Sequence, residues 1–134
     1  MKSKLLILLF VYFSVFAQEY AVVSNKFLKK LSKKQIKAIF LKKLTYIDGV
    51  HLVPVNLSPS SPIREKFEKN ILNMSKKRLK AYWVKKHYLG KRPPVTMKSQ
   101  ESAIKFIQNV SASLTYVKAS KIAPSTNVLY RWEE

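Results

Sequence analysis

HLVPVNLSPSSPIREKFEKNI, residues 51–71, is the stretch of sequence that decides the fold. Residues 51–57 predict a strand, because apolar side chains alternate along one face. The polar turn that follows ends in Ser61 and Pro62, a favoured N-cap and a favoured first helical residue. The helix that begins there is expected to bury a stripe formed by Ile63, Phe67 and Ile71. A strand that leads through a short loop into a helix is typical of α/β domains.

The sequence before this stretch predicts a strand, a helix and a tight turn. Tyr20–Ser24 is a short β-branched run, which favours a strand. Ser32 and Gln35 have the spacing of a capping box, so a helix is expected from about Lys33 to Leu41. Asp48-Gly49 is a strong signal for a tight turn. Predicted strands and helices therefore alternate already in the first part of the chain.

After the central stretch, the sequence predicts two helices and two strands. Ser75 caps one helix and Ser99 begins the other. Leu114–Val117 is a strand candidate, and Val128–Trp132 is a second one. Strands separated by helices predict an α/β layer architecture, a single domain over residues 18–134 with a central sheet flanked by helices.

Residues 1–17 have the three parts of a secretory signal peptide. Lys2 and Lys4 form a basic start, an apolar run follows, and Val15-Phe16-Ala17 places small residues at the two positions read by signal peptidase. Cleavage after Ala17 would leave 117 residues, which is the length of a single domain. The signal predicts that this domain works outside the cytoplasm, in a bacterial periplasm. The alternative is an uncleaved N-terminal anchor. No second segment of the sequence is long and apolar enough for a stable membrane span.

Composition combines an absence of cysteine with a large excess of positive charge. Without cysteine, the chain forms no disulfide and no thiolate metal site. Its 26 Lys and Arg against 7 Asp and Glu give a net charge of +19, or +17 without residues 1–17. That field attracts anions such as phosphate-like solutes, nucleic acid, acidic lipids and envelope polymers. The alternative is a surface that serves solubility, because 22 of the 26 are lysine and bidentate phosphate recognition prefers arginine.

Four segments together resemble phosphate-type solute-binding proteins. LSKKQIKAIFL (31–41), followed by Asp48-Gly49 and Leu52–Val55, is similar to the family's helix that leads through Asp-Gly into a strand. SSPIREKF (60–67) is similar to the family's phosphate-binding turn, Gly-Ser-Gly-Thr-Arg-Glu followed by Phe. Tyr82-Trp83 with Gly90 and Pro93-Pro94, and the closing strand Ser113–Val117, complete the resemblance. It implies a type 2 periplasmic-binding-protein fold, present as the single lobe of the small members.

The family's turn binds phosphate, and the matching residues here are the candidate anion ligands Ser58, Ser60, Ser61, Ile63 and Arg64. A helix N-terminus presents unpaired N–H groups, serine hydroxyls donate, and an arginine one turn in can fork onto two oxygens. The turn lacks the family's glycines and threonine, Pro62 removes one N–H, and Lys42 stands where the family has glycine. The alternative is an ordinary capped helix with Arg64 in solvent.

Catalysis, metals and cofactors are not indicated by the sequence. His51 and His87 are the two histidines, and with no cysteine they form no zinc constellation. Ser61, His87 and Asp48 could be named as a triad, but no nucleophile-elbow sequence supports it. Tyr82 and Trp83 could stack on a ligand, although their helical spacing is more typical of a core.

The sequence thus predicts a non-enzymatic periplasmic module that binds phosphate or a similar oxyanion weakly, for transport or sensing. One lobe offers half of a closed site, so an envelope protein partner or a homodimer is expected to supply a second lobe. The alternative is a basic envelope adaptor with no small-molecule ligand, distinguished by lysines clustered on one face. Nucleic-acid binding is disfavoured by export and by the scarcity of arginine.

Overall fold

The computed structural model describes residues 17–25 and 28–134, so the predicted signal peptide, apart from Ala17, lies outside the described residues. The described α-helices are α1 Lys33–Phe40, α2 Pro62–Phe67, α3 Lys76–His87 and α4 Gln100–Asn109. The described strands are β1 Glu19–Ser24, β2 Tyr46–Ile47, β3 Val50–His51, β4 Val53–Leu57, β5 Val95–Met97, β6 Ser113–Lys118 and β7 Asn127–Glu133. Within these residues, no helix is long and apolar enough to cross a membrane.

Five strands form a mixed sheet in the order β5-β4-β6-β1-β7, and β2 pairs with β3 in a separate hairpin. β4 is parallel to β5 and β6, whereas β1 is antiparallel to β6 and β7. The chain passes from β4 to β5 through α2 and α3, and from β5 to β6 through α4, because parallel neighbours need crossover connections. The carboxyl ends of β4, β5 and β6 therefore lie at one edge of the sheet. The predicted α/β architecture is confirmed.

Stacked aromatic rings form the core beneath α2. The ring centroid of Phe67 lies 4.0 Å from that of Tyr116, with the rings nearly parallel at 9°. The ring of Phe40 meets Phe67 edge-on at 4.6 Å. All three rings are fully buried, and β4 beside them is buried on both faces at Val55 and Asn56. This packing fixes the start of α2 relative to the sheet.

Local signals in the sequence located the helix starts correctly. The N-cap hydroxyl of each helix accepts the backbone N–H three residues on, at Ser32, Ser61, Ser75 and Ser99. The capping box with Gln35 is complete, since its side chain accepts the N–H of Ser32 at 2.9 Å. The hairpin turns at Asp48 and Gly49, whose φ values of 49° and 77° are the left-handed pair of a type I′ turn.

Three features differ from the sequence prediction. The predicted strand 51–57 begins at Val53, because Val50–His51 pairs back onto β2. The helix from Pro62 widens into a π-helix at Glu68–Leu72 and ends at Asn73, a residue type that tolerates its left-handed φ of 50°. β5 was not predicted, because it is three residues long and two of them are exposed.

Lys42 adopts the left-handed conformation that favours glycine, at φ 56°. The N–H of Lys43 donates to the carbonyl of Ala38 at 2.8 Å, and the N–H of Lys42 donates to that of Ile39 at 3.0 Å. These two bonds form a Schellman motif after α1. Lysine therefore keeps the geometry that the resemblance assigns to a glycine, with the strain of a Cβ in that region.

Candidate anion-binding cleft

An open cleft of about 490 Å³ lies where β4 leads into α2 and β5 leads into α4. One wall comes from the loop and helix start after β4, namely Ser58, Ser60, Ser61, Pro62 and Ile63. The opposite wall comes from the start of α4 and the end of β6, namely Lys98, Ser99, Gln100, Glu101 and Lys118. The carboxyl edge of parallel strands is where ligands of open α/β sheets bind.

The starts of α2 and α4 both border this cleft. Ser61 Oγ accepts the N–H of Arg64 at 3.4 Å, and Ser99 Oγ accepts the N–H of Ser102 at 3.1 Å. In the first turn of α2, Pro62 has no N–H, and the N–H of Arg64 is bound by Ser61. The N–H of Ile63 is therefore the first-turn donor that has no hydrogen-bond partner among the described residues. Two helix N-termini add partial positive charge on either side of the cleft.

Hydrogen bonds within the β4–α2 loop hold its serine hydroxyls in place. Ser58 Oγ and Ser60 Oγ lie 3.1 Å apart and hydrogen-bond to each other. The N–H of Ser61 donates to the carbonyl of Ser58 at 2.9 Å, which closes the turn. The structure therefore brings four predicted ligands, Ser58, Ser60, Ser61 and Ile63, to one cleft wall.

Arg64, the fifth predicted ligand, does not line the cleft. Its Nη1 donates to the carbonyl of Leu57 at 2.9 Å, and its Nε donates to Glu68 Oε1 at 3.3 Å. Both side chains are largely buried, with 16% and 8% of their surface exposed. Glu68 attracts the guanidinium because it lies one helical turn later, and its Oε2 has no hydrogen-bond partner among the described residues. The expectation that Arg64 forks onto an anion is not supported by this geometry.

Lys98 and Lys118 are cleft residues that the sequence prediction missed. Each lies at the carboxyl end of a parallel strand. Lys98 directly follows β5, and Lys118 is the last residue of β6. The backbone N–H of Lys118 donates to Gln100 Oε1 at 2.8 Å, which ties the end of β6 to the start of α4. The signal that could have found them is their position at strand ends, but using it requires the strand order.

Glu101 is the one acidic residue that lines the cleft. Its carboxylate pairs with Lys121 Nζ at 3.1 Å. The hydrogen bond to its own backbone amide at the helix start, and next the pairing with Lys121, lower the pKa of Glu101. A carboxylate that is ionised in this place opposes a bound anion, and the pairing with Lys121 offsets part of that opposition.

Beneath the cleft, a buried hydrogen-bonded group holds the end of β4. The Tyr116 hydroxyl donates to Asn56 Oδ1 at 3.0 Å and accepts the N–H of Leu57 at 3.1 Å. Burial raises the pKa of Tyr116, so its phenol stays neutral. Thr115 Oγ1 donates to the carbonyl of Val55 at 2.9 Å. Because these polar groups satisfy one another, the floor of the cleft is rigid.

The two histidines and the Tyr82-Trp83 pair lie apart from the cleft. His51 is in the hairpin, where its ring centroid lies 5.0 Å from that of Tyr46, and His87 ends α3. In the described part of the chain, no three His, Cys, Asp or Glu residues are grouped as a metal site. Tyr82 and Trp83 pack partly buried against the core, as their spacing predicted.

Solved structures with a similar fold include phosphate receptors. A candidate phosphate ABC transporter substrate-binding protein from Clostridium perfringens, with bound phosphate, matches with a TM-score of 0.69 at 18% identity, over 84% of this chain and 44% of that chain. An ABC-type phosphate transport receptor from Vibrio cholerae matches with a TM-score of 0.67 at 13% identity, over 84% and 46%. PstS from Borrelia burgdorferi matches with a TM-score of 0.61 at 13% identity, over 84% and 47%. No protein-family model and no curated protein matches the chain.

These likenesses confirm the fold that the sequence resemblance implied, one lobe of a type 2 periplasmic-binding-protein fold. The chain spans less than half of the length of each of these proteins. At identities of 13% to 18%, the shared property is the fold. The case for a ligand therefore rests on the residues of the cleft.

Proposed function

We propose that the cleft binds phosphate or a similar oxyanion. The observation that carries this proposal is the meeting of two helix starts with Lys98 and Lys118 at the carboxyl edge of three parallel strands. Amides at helix N-termini and lysine ammonium groups are the donors that oxyanions take in proteins. Receptors of the same fold, one of them with bound phosphate, support the same class of ligand.

In this proposal the hydroxyls of Ser58, Ser60 and Ser61 and the amide of Ile63 donate to the anion oxygens. Lys98 and Lys118 supply charge from the opposite wall. Arg64 could join them only by leaving the Leu57 carbonyl and Glu68, which would leave a buried carboxylate unpaired. Its proposed role is therefore to hold the β4–α2 turn in place.

One lobe gives an exposed site with half of the contacts of a closed one. Salt and water screen such a site, so the affinity for a free anion is weak. A second lobe, from an envelope protein partner or a second copy of this chain, would enclose the anion. The proposed setting is the periplasm, in solute capture for transport or in sensing, with no catalytic step, metal or cofactor.

Isothermal titration with phosphate at low salt tests the proposal. The wild-type protein is expected to give saturable heat, and the double variant Lys98→Gln/Lys118→Gln is expected to bind about fivefold more weakly. The matched control Lys29→Gln/Lys105→Gln removes the same charge from exposed positions outside the cleft wall and should stay within about twofold. A folded wild-type protein that gives no heat with phosphate, sulfate or arsenate would sink the proposal.

A second candidate function is the basic adaptor that binds an envelope component and no small molecule. One observation favours it. No acidic residue occurs between Glu68 and Glu101, while ten lysines and arginines do. A second acid-free stretch, between Glu19 and Asp48, carries eight lysines, so basic residues are concentrated in these two stretches. Retention of an envelope protein at low salt, with release at high salt and no heat with phosphate, would select this function over the first.

A further inference from the structure

The acid-free stretch between Glu68 and Glu101 contains α3, a helix with apolar residues on two opposite faces. On the inner face Leu79 is buried, Tyr82 is half-buried, and the Tyr82 hydroxyl donates to the carbonyl of Leu41 at 2.7 Å. This face attaches α3 to the core. It accounts for the apolar residues at 79, 82 and 83, and for no others on the helix.

The outer face of α3 carries a second apolar row. Ala81, Val84 and Tyr88 follow one another at spacings of three and four residues, which places them on one side of a helix. Val84 is 53% exposed, Tyr88 is 85% exposed, and Leu89 beside it is 65% exposed. Large apolar side chains this exposed, and close together, are unusual unless another surface covers them.

Cationic side chains border this row on both sides. Lys80 flanks it on one side, Arg78 and Lys85 flank it on the other, Lys77 continues the row four residues before Ala81, and all four are exposed. Long lysine stems can lie along an apolar surface while their ammonium groups stay in water. An exposed apolar patch beside lysine and arginine side chains can enter a membrane interface while its cations meet anionic headgroups.

We propose that the outer face of α3, defined as Ala81, Val84, Tyr88 and Leu89 with the cations beside them, docks on a bilayer surface that carries anionic headgroups. A polyanion alone would use the lysines but would leave Tyr88 and Leu89 without a role. An uncharged apolar partner would leave the surrounding positive charge uncompensated. A bilayer with anionic headgroups meets both requirements, since headgroups pair with the lysines and the interface takes up the aromatic and aliphatic tip.

This docking is independent of anion binding in the cleft, because none of its residues lines the cleft. In this proposal α3 lies in the membrane interface and does not cross the bilayer. It would hold the module at a membrane surface.

Vesicle co-sedimentation of the purified protein tests the docking, with every variant sharing the same N-terminus. Vesicles of phosphatidylcholine with about one-third phosphatidylglycerol should bind the protein, and binding should fall steeply between about 50 mM and 500 mM salt. Pure phosphatidylcholine vesicles should bind it at least tenfold more weakly, since each lysine near an anionic surface contributes roughly fivefold.

Two matched pairs of variants separate the contributions. Val84→Ser/Tyr88→Ser/Leu89→Ser should weaken binding about tenfold, whereas Tyr46→Ser/Val50→Ser in the exposed hairpin should not. Lys80→Gln/Lys85→Gln should weaken binding roughly 20-fold, whereas the exposed pair Lys29→Gln/Lys105→Gln should weaken it less than threefold. A Tyr88→Trp variant should show a larger blue shift on anionic vesicles than the wild type, whose Trp83 and Trp132 set the reference emission.

Equal binding to neutral and anionic vesicles would overturn the proposal, and so would equal losses in the α3 and control variants. Binding that the lysine variants abolish and the apolar variants leave unchanged would indicate an acidic protein or polymer instead. A blue shift of Tyr88→Trp on bound vesicles no larger than that of the wild type would also contradict insertion.

Discussion

In the cleft, positive potential comes from the starts of α2 and α4 and from Lys98 and Lys118, which lie on separate elements, whereas on the outer face of α3 it comes from lysine and arginine side chains of one helix. The cleft exists only because β4, β5 and β6 are parallel and end at one edge. The outer face of α3 needs only a helix with the right spacing. The first is a product of packing, and the second is a product of local sequence. Core substitutions should therefore disturb the arrangement of the cleft more than the arrangement of the exposed side chains along α3.

The largest expected difference between the core beneath the cleft and the outer face of α3 is in the free energy of unfolding. Phe67→Ala removes the ring that stacks on Tyr116 beneath the cleft, and should lower the free energy of unfolding by about 3–5 kcal/mol. Val84→Ala on the outer face of α3 should change it by less than about 0.5 kcal/mol. Urea unfolding followed by circular dichroism measures both, and Phe67→Leu provides a milder variant. A loss at Val84 equal to that at Phe67 would contradict the assignment of Val84 to a free surface.

A smaller effect is expected at Arg64, and it tests whether this residue belongs to the anion site or supports the turn beside it. Arg64→Gln leaves the buried carboxylate of Glu68 without its cation and hydrogen-bond donor, so the free energy of unfolding should fall by about 2 kcal/mol. Arg78→Gln on exposed α3 is the matched control and should have little effect. The double variant Arg64→Gln/Glu68→Gln should recover part of the loss. Phosphate affinity that collapses in Arg64→Gln while stability is unchanged would return Arg64 to the role of a ligand.

The smallest expected effect is a pH dependence at the rim of the cleft. The folded-state pKa of Glu101 lies below its ordinary value of 4.5, so its ionised form favours the folded state. Glu101→Gln should therefore be slightly less stable than the wild type above pH 4.5, and the difference should vanish as the pH falls through the lowered pKa. Thermal unfolding at pH 7, 5 and 3 measures this difference. Its persistence at the lowest pH would show that ionisation of Glu101 is not its source.

Much of the fold could be predicted because its signals are local. The four N-cap serines were found from sequence since each bonds to an amide three residues away. The Asp48-Gly49 turn was found because left-handed backbone selects these residue types. β5 was missed because three largely exposed residues carry no alternation, and only pairing with β4 makes them a strand.

The candidate site was predicted in part. Its four residues after β4 all fall within the six positions Ser58–Ile63, so the sequence located them together. The structure pairs Arg64 with Glu68 one helical turn later, and the sequence of the turn by itself does not show this competition for the guanidinium. Lys98 and Lys118 lie 20 positions apart, and nothing local connects them.

By itself, the sequence determined where the helices begin, the tight turn and the positive charge. These depend on interactions within a few residues, which a linear pattern records. The tertiary structure alone decided that two helix starts and two distant lysines share one cleft and that Arg64 faces its own helix. Strand order and buried packing set those distances, and both arise from contacts between residues far apart in the chain.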